Sequence, residues 1–70
     1  MNIWTIYDKP IDYPQKFVAR RFEVVRGSVN ITSDLYICDT LEEARSKLPY
    51  GVDCIPRDPS DEPHIVESWI

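Results

Sequence analysis

Trp4-Thr5-Ile6-Tyr7-Asp8-Lys9-Pro10-Ile11-Asp12-Tyr13-Pro14-Gln15-Lys16-Phe17-Val18-Ala19-Arg20-Arg21-Phe22 decides the fold. The first run, from Asn2 to Tyr7, is β-branched and aromatic, which suits a pleated, half-buried surface. It stops at Asp8-Lys9-Pro10. Pro10 and Pro14 fix φ and push the residues before them out of helical space, so Asp8 to Gln15 is a connection built on two turns. Phe17 to Val25 is a second and longer strand. Alternation places Val18, Arg20, Phe22 and Val24 on one face and Phe17, Ala19, Arg21, Glu23 and Val25 on the other. Each face mixes charge with apolar groups. Two adjacent arginines cannot both point outward in a regular strand, so a bulge or a paired arginine is expected at Arg20-Arg21.

Working outward, Arg26 to Asn30 is a turn in which Gly27 and Asn30 can take positive φ. Asp34 to Cys38 is a third strand, giving a hairpin with a loose polar tip. Next comes the sharpest local signal. Thr40 is an N-cap residue and Glu43, three positions on, completes a capping box. Leu41, Ala44 and Leu48 then share one helical face. Pro49 and Gly51 end this helix after about two and a half turns. A helix so short must pack on a sheet. Val52 to Pro56 is a short extended piece, Arg57 to Pro63 a polar Pro-punctuated loop, and His64 to Ile70 a last strand. The order implies an α+β domain: an antiparallel sheet of about four strands with one short helix on one face.

Seventy residues make one domain, spanning 1–70. So small a chain buries little of its surface without a partner, a metal or a second copy. Two cysteines, Cys38 and Cys54, are too few for a disulfide scaffold. Met1 leads straight into a strand without a basic, apolar leader, and no apolar stretch has membrane-spanning length. A cytoplasmic protein with reduced thiols is the expectation.

The net charge of −4 is unevenly spread. Lys9, Lys16, Arg20, Arg21 and Arg26 make residues 1–33 basic, whereas residues 34–70 hold nine of the twelve carboxylates. Charge of this kind informs on partners rather than fold. An acidic chain argues against general nucleic-acid binding.

No catalytic pattern stands out. Cys54 and His64 with Asp53 or Asp58 would need a triad geometry, and a small thiol in an extended run is more simply a packing residue. Two cysteines and one histidine at unrelated spacings make no zinc motif, and Asp58-Asp61-Glu62 lacks the order of a calcium loop. Two glycines, Gly27 and Gly51, cannot build a P-loop or a dinucleotide fingerprint. No cofactor is expected.

The chain resembles a group of small bacterial and prophage-borne proteins with the pattern WTIYDxPxDYPxxFVxRR, then TLEEAR, then PRxPxDxPxIVExW. Here these are residues 4–21, Thr40 to Arg45 and Pro56 to Trp69. The resemblance spans nearly the whole chain and transfers no functional residue. By size and charge alone, acidic phage inhibitors such as anti-CRISPR proteins are an analogy.

The leading expectation is therefore a non-enzymatic module. It docks on a larger protein or ribonucleoprotein with a basic surface, through Glu42, Glu43, Asp58, Asp61 and Glu62. A second reading is a nucleic-acid module using Lys16, Arg20, Arg21 and Arg26, whose interleaved Phe17 and Phe22 would stack bases. A third is a homodimer or complex subunit that pairs through an exposed sheet edge.

Overall fold

A computed structural model describes residues 1–70. Five strands and one helix follow in the order β1 (Asn2–Asp8), β2 (Phe17–Val25), β3 (Ser28–Cys38), α1 (Leu41–Ser46), β4 (Cys54–Pro56) and β5 (Ile65–Trp69). They form one antiparallel sheet ordered β3-β2-β1-β5-β4. The expected α+β class holds. The strand count rises from about four to five, because the extended piece near Cys54 pairs with β5 as an edge strand.

The central strand β1 is hydrogen-bonded on both sides, which is why Trp4, Thr5 and Ile6 are its buried residues. The connection to β2 is the pair of turns that the prolines demand. Tyr13 N–H donates to the Pro10 carbonyl, and Lys16 N–H donates to the Tyr13 carbonyl.

The β2–β3 hairpin corrects one expectation. Its tip is tight rather than loose. Val25 pairs with Ser28, leaving a two-residue turn of Arg26 and Gly27, both at positive φ (50° and 80°). That is the geometry whose twist matches two right-handed strands. β3 therefore begins six residues earlier than Asp34, at Ser28.

The irregularity expected at Arg20-Arg21 lies in the partner strand. Arg20 pairs with Leu35 and Phe22 with Ile31, so Thr32, Ser33 and Asp34 stand opposite Arg21 alone. The Thr32 hydroxyl donates to the Arg21 carbonyl at 2.8 Å, and Arg21 Nε donates to Asp34 Oδ2 at 2.6 Å. Bulge and paired arginine occur together.

Thr40 caps α1, with the Glu43 N–H donating to Thr40 Oγ1 at 3.1 Å. The Glu43 carboxylate closes back on the N–H of Asp39 rather than on that of Thr40. The helix is six residues long, shorter than the expected two and a half turns. Its apolar stripe is as read: Ala44 is fully buried, and Leu41 and Leu48 pack beside it on Trp4, Ile6, Ala19 and Cys38. Small Ala19 leaves room on this face for Trp4 and Tyr36 to stack across β2, with ring centroids 5.7 Å apart.

Candidate binding surface

The helix covers one face of the sheet only. Cross-strand partners in an antiparallel ladder point to the same side, so the register fixes the other face. It carries Ile3, Thr5 and Tyr7 from β1, and Val18, Arg20, Phe22 and Val24 from β2. Val29, Ile31, Leu35 and Ile37 follow from β3, Ser68 and Ile65 from β5, and Ile55 from β4. No helix overlies these residues, although Val18 and Thr5 are buried and Pro10, Asp12 and Asp61 border the face from the adjoining loops. Val29 and Ile31 are 63% and 70% exposed, and Ile37 and Ile55 nearly half exposed. An apolar sheet face left in solvent is the kind of patch that marks an interaction site.

The face is shaped. A cavity of about 280 Å³ opens between Ile3, Tyr7, Phe22 and Ile65, with Asp61 at its margin. A smaller one of about 110 Å³ lies between Tyr7, Pro10, Val18 and Arg20, with Asp12 beside it. Tyr7 borders both. Burial raises its phenol above the ordinary value, with Arg20 opposing and Glu62 and Asp12 reinforcing. The hydroxyl thus stays protonated and can both donate and accept.

Arg20 is the one cation on this face, and Asp12 Oδ2 sits 3.4 Å from its Nη2. Thr5 and Ser68 share a contact of 3.4 Å between hydroxyls, so the polar atoms here are few and partnered.

Asp58, Asp61 and Glu62, expected as an acidic rim, and the further candidates Glu42 and Glu43 do not share a surface. Glu42 and Glu43 lie on the first turn of α1, in the helix layer. Asp58, Asp61 and Glu62 belong to the β4–β5 loop, and Asp61 borders the open face. Each loop carboxylate also has a local task. Asp58 accepts from the Ser60 N–H and hydroxyl, which hold its carboxyl below the usual range. Asp61 accepts from the Asp58 N–H at 3.0 Å, and Glu62 from the His64 N–H at 3.1 Å. The Asp58–Ser60 bond is an Asx turn, and the other two brace the same loop.

The basic cluster is dispersed as well. Arg20 and Arg21 point to opposite faces. Lys16 pairs with Asp39, Arg20 with Asp12 and Arg21 with Asp34, while Arg26 stands at the hairpin tip. Phe17 packs in the helix-side core and Phe22 on the open face. No continuous basic, aromatic sheet surface results.

Cys54 and His64 do not meet. Cys54 pairs with Trp69, at the far end of β5 from His64, which puts them on the order of 15 Å apart at strand rise. Burial raises the Cys54 thiol, and Glu67 adds to that, the opposite of an activated nucleophile. No group of three or more His, Cys, Asp or Glu side chains converges as a metal site would need. No helix is long and apolar enough to cross a membrane.

One cluster escaped the sequence reading. Glu67 is 6% exposed, yet it is a carboxylate. Arg45 of α1 grips it with two bonds of 2.8 and 2.7 Å, and Trp69 Nε1 donates at 2.6 Å. Arg45 above all, then Trp69, holds the Glu67 carboxyl below the usual range despite burial. The single irregularity of β5 explains the placement. Ile6 pairs with Glu67 but Tyr7 with Ile65, so Val66 is an extra residue. Val66 packs on the core while Glu67 reaches the helix side. Glu67 thus joins helix to sheet and is a structural tie, leaving the open face as the candidate site.

No known protein family, no curated protein and no solved structure matches this chain.

Proposed function

We propose that the chain is a non-enzymatic protein-binding module whose contact surface is the open face of its sheet. The observation that carries this is the uncovered apolar face from Ile55 to Ile31, with Tyr7 and Phe22 at its centre. Aromatic side chains in a half-closed pocket are the usual anchors of affinity. Asp12, Asp61 and Glu62 near Tyr7 outnumber Arg20 and favour a partner that sets basic groups beside an apolar patch. A larger basic protein or ribonucleoprotein, such as a phage-type inhibitor would target, fits that description. The helix acids Glu42 and Glu43 fall outside this surface and are left out of the reading.

The test is capture from the host on immobilised protein. Wild type and Ile55→Lys are compared, together with the neutralised Asp12→Asn/Asp61→Asn/Glu62→Gln. Ile55 is exposed, so the lysine leaves the fold intact. A specific partner should be lost about tenfold or more with Ile55→Lys. It should persist, with weaker salt dependence, in the neutralised variant. Retention that ignores both changes refutes the reading. Nucleic-acid binding is the alternative and depends on Lys16, Arg20, Arg21 and Arg26. Three of the four are held in ion pairs, so the open face is the better-supported choice.

A further inference from the structure

The two edges of the sheet are guarded very differently. β4 is three residues long and ends at Pro56, which has no N–H to offer. β3 is eleven residues long, contains no proline, lysine or arginine, carries one charge, Asp34, and has a bulge at Thr32–Asp34 as its one guard. Its free backbone groups can be assigned. The Val24 N–H donates to the Met1 carbonyl, and the Val24 carbonyl accepts from the Met1 amino group, so both face β1. Val29, opposite Val24, is therefore in a non-hydrogen-bonded pair with β2. On each side of the Thr32–Asp34 bulge the ladder alternates, so Val29 and Ile31, and Leu35 and Ile37, turn their N–H and C=O groups outward.

Those four residues are spaced symmetrically about Ser33. We infer that β3 pairs antiparallel with β3 of a second copy of this chain, on a two-fold axis at Ser33, making a continuous ten-stranded sheet. In this register Val29 meets the partner's Ile37, and Ile31 meets the partner's Leu35, each pair repeated by symmetry. The bulge at Thr32–Asp34 lies on the axis, and the four outward positions that flank it are satisfied at once. Asp34 falls opposite a Thr32 hydroxyl and keeps its bond to Arg21. Sliding the register by one step on each strand puts either Asp34 against its own symmetry mate, a like-charge clash, or Thr32 against Thr32 with Ile37 unpaired. The centred register is the one that pairs every apolar side chain. An isologous contact of this kind closes and cannot grow into a fibre, because β4 is the only other edge and it is blocked.

This inference concerns the backbone edge of β3. Its Val29, Ile31, Leu35 and Ile37 side chains also belong to the open face, but Ile55 on the opposite edge belongs to the open face alone, so Ile55→Lys should leave the dimer intact. Two measurements test it. Sedimentation of the wild-type chain from micromolar to millimolar concentration should show twice 8.2 kDa. Ile31→Lys should return the mass to that of one chain, and Ile31 is exposed enough to accept lysine without unfolding. Register is read by oxidation in a Cys54→Ser background. Ser33→Cys sits on the two-fold and should link to its mate. Asn30→Cys lies about 20 Å from its mate along the strand and should not link. A wild-type chain that stays single at millimolar concentration overturns the proposal. So does a dimer that survives Ile31→Lys, or linking at position 30 in place of 33. Should Ile31→Lys fail to fold, the two cysteine variants carry the test on an otherwise unaltered edge.

Discussion

Removing Arg45 should unbalance this protein more than any other change to an exposed side chain. The Arg45 side chain is 44% exposed, but that of its partner Glu67 is 7% exposed, and its carboxylate has one other donor, Trp69. Arg45→Met keeps the aliphatic packing and strips the bidentate pair. A buried pair broken on one side costs about 3–5 kcal/mol when the remaining charge is sealed from water. Here the departing arginine opens a path for water, so the expected cost is smaller, about 2 kcal/mol. A 70-residue domain has about 5 kcal/mol of total stability, so this is a large share. It corresponds to a fall in Tm of about 8–16 °C. The sign of the pH dependence follows from Glu67, whose folded pKa is depressed. Its stabilising contribution is present above the unfolded carboxyl value of about 4.3 and is lost as pH falls through the folded one. The gap between wild type and Arg45→Met should thus be widest near neutrality and close in acid. Replacing both partners, Arg45→Met with Glu67→Met, should recover most of the loss, since no buried charge then lacks a partner. Thermal unfolding of the three proteins at neutral and acid pH decides the matter. If the single and double variants are equally unstable, or if the gap is the same in acid, the deficit is one of packing and the electrostatic reasoning fails.

Other expectations are local. Arg26 holds a left-handed φ of 50° that asparagine adopts more readily, so Arg26→Asn should raise stability by about 0.5 kcal/mol in a denaturant titration. Gly27→Ala meets no neighbour within 4 Å, so its cost, about 1 kcal/mol, comes from φ of 80° alone and should appear as a lower Tm. Thr40→Ala removes the cap of α1 and should cost about 1 kcal/mol. Thiol titration should find one accessible group, Cys54, and one that reacts only on unfolding, since Cys38 is buried at the base of the helix and burial raises its pKa.

Local chemistry made most of the fold readable. The prolines of the β1–β2 connection, the cap at Thr40 and the stripe Leu41, Ala44, Leu48 each rest on contacts within a few residues, and each took the expected form. Register was not readable at that range. The early start of β3 depended on accepting Arg26 at positive φ, a residue with no preference for that conformation. The strand β4 exists only because β5 offers it an edge. The buried pair of Glu67 with Arg45 joins residues 22 apart through an extra residue in β5, and nothing in "IVESW" distinguishes that glutamate from a surface one.

The charge asymmetry of the chain shows why the site was harder still to read. In sequence, a basic first half faces an acidic second half, which suggests a molecule with two poles. Antiparallel pairing undoes this. β2 carries Arg20 and Arg21, with Lys16 just before it and Arg26 just after, and it lies between β3 and β1. Arg21 meets Asp34, Lys16 meets Asp39 just past β3, and Arg20 meets Asp12. Bases and acids separated in the chain are interleaved in space, and the acids left over are scattered over β1, β2, the first turn of α1, Asp53 and the β4–β5 loop. No charged patch collects on one surface; the one continuous exposed surface is apolar. One six-residue helix cannot cover both faces of a five-stranded sheet, so the face holding Phe22, Tyr7 and Ile31 stays open whatever the charges do. Alternation along β2 had separated Val18, Arg20, Phe22 and Val24 from Phe17 and Ala19, but both sets are mixed and Val18 is as buried as Ala19, so only the packing of Ala19 and Phe17 with Ala44 of α1 tells which face the helix covers. Contact chemistry in this protein is therefore better sought in the uncovered side of the sheet than in its carboxylates.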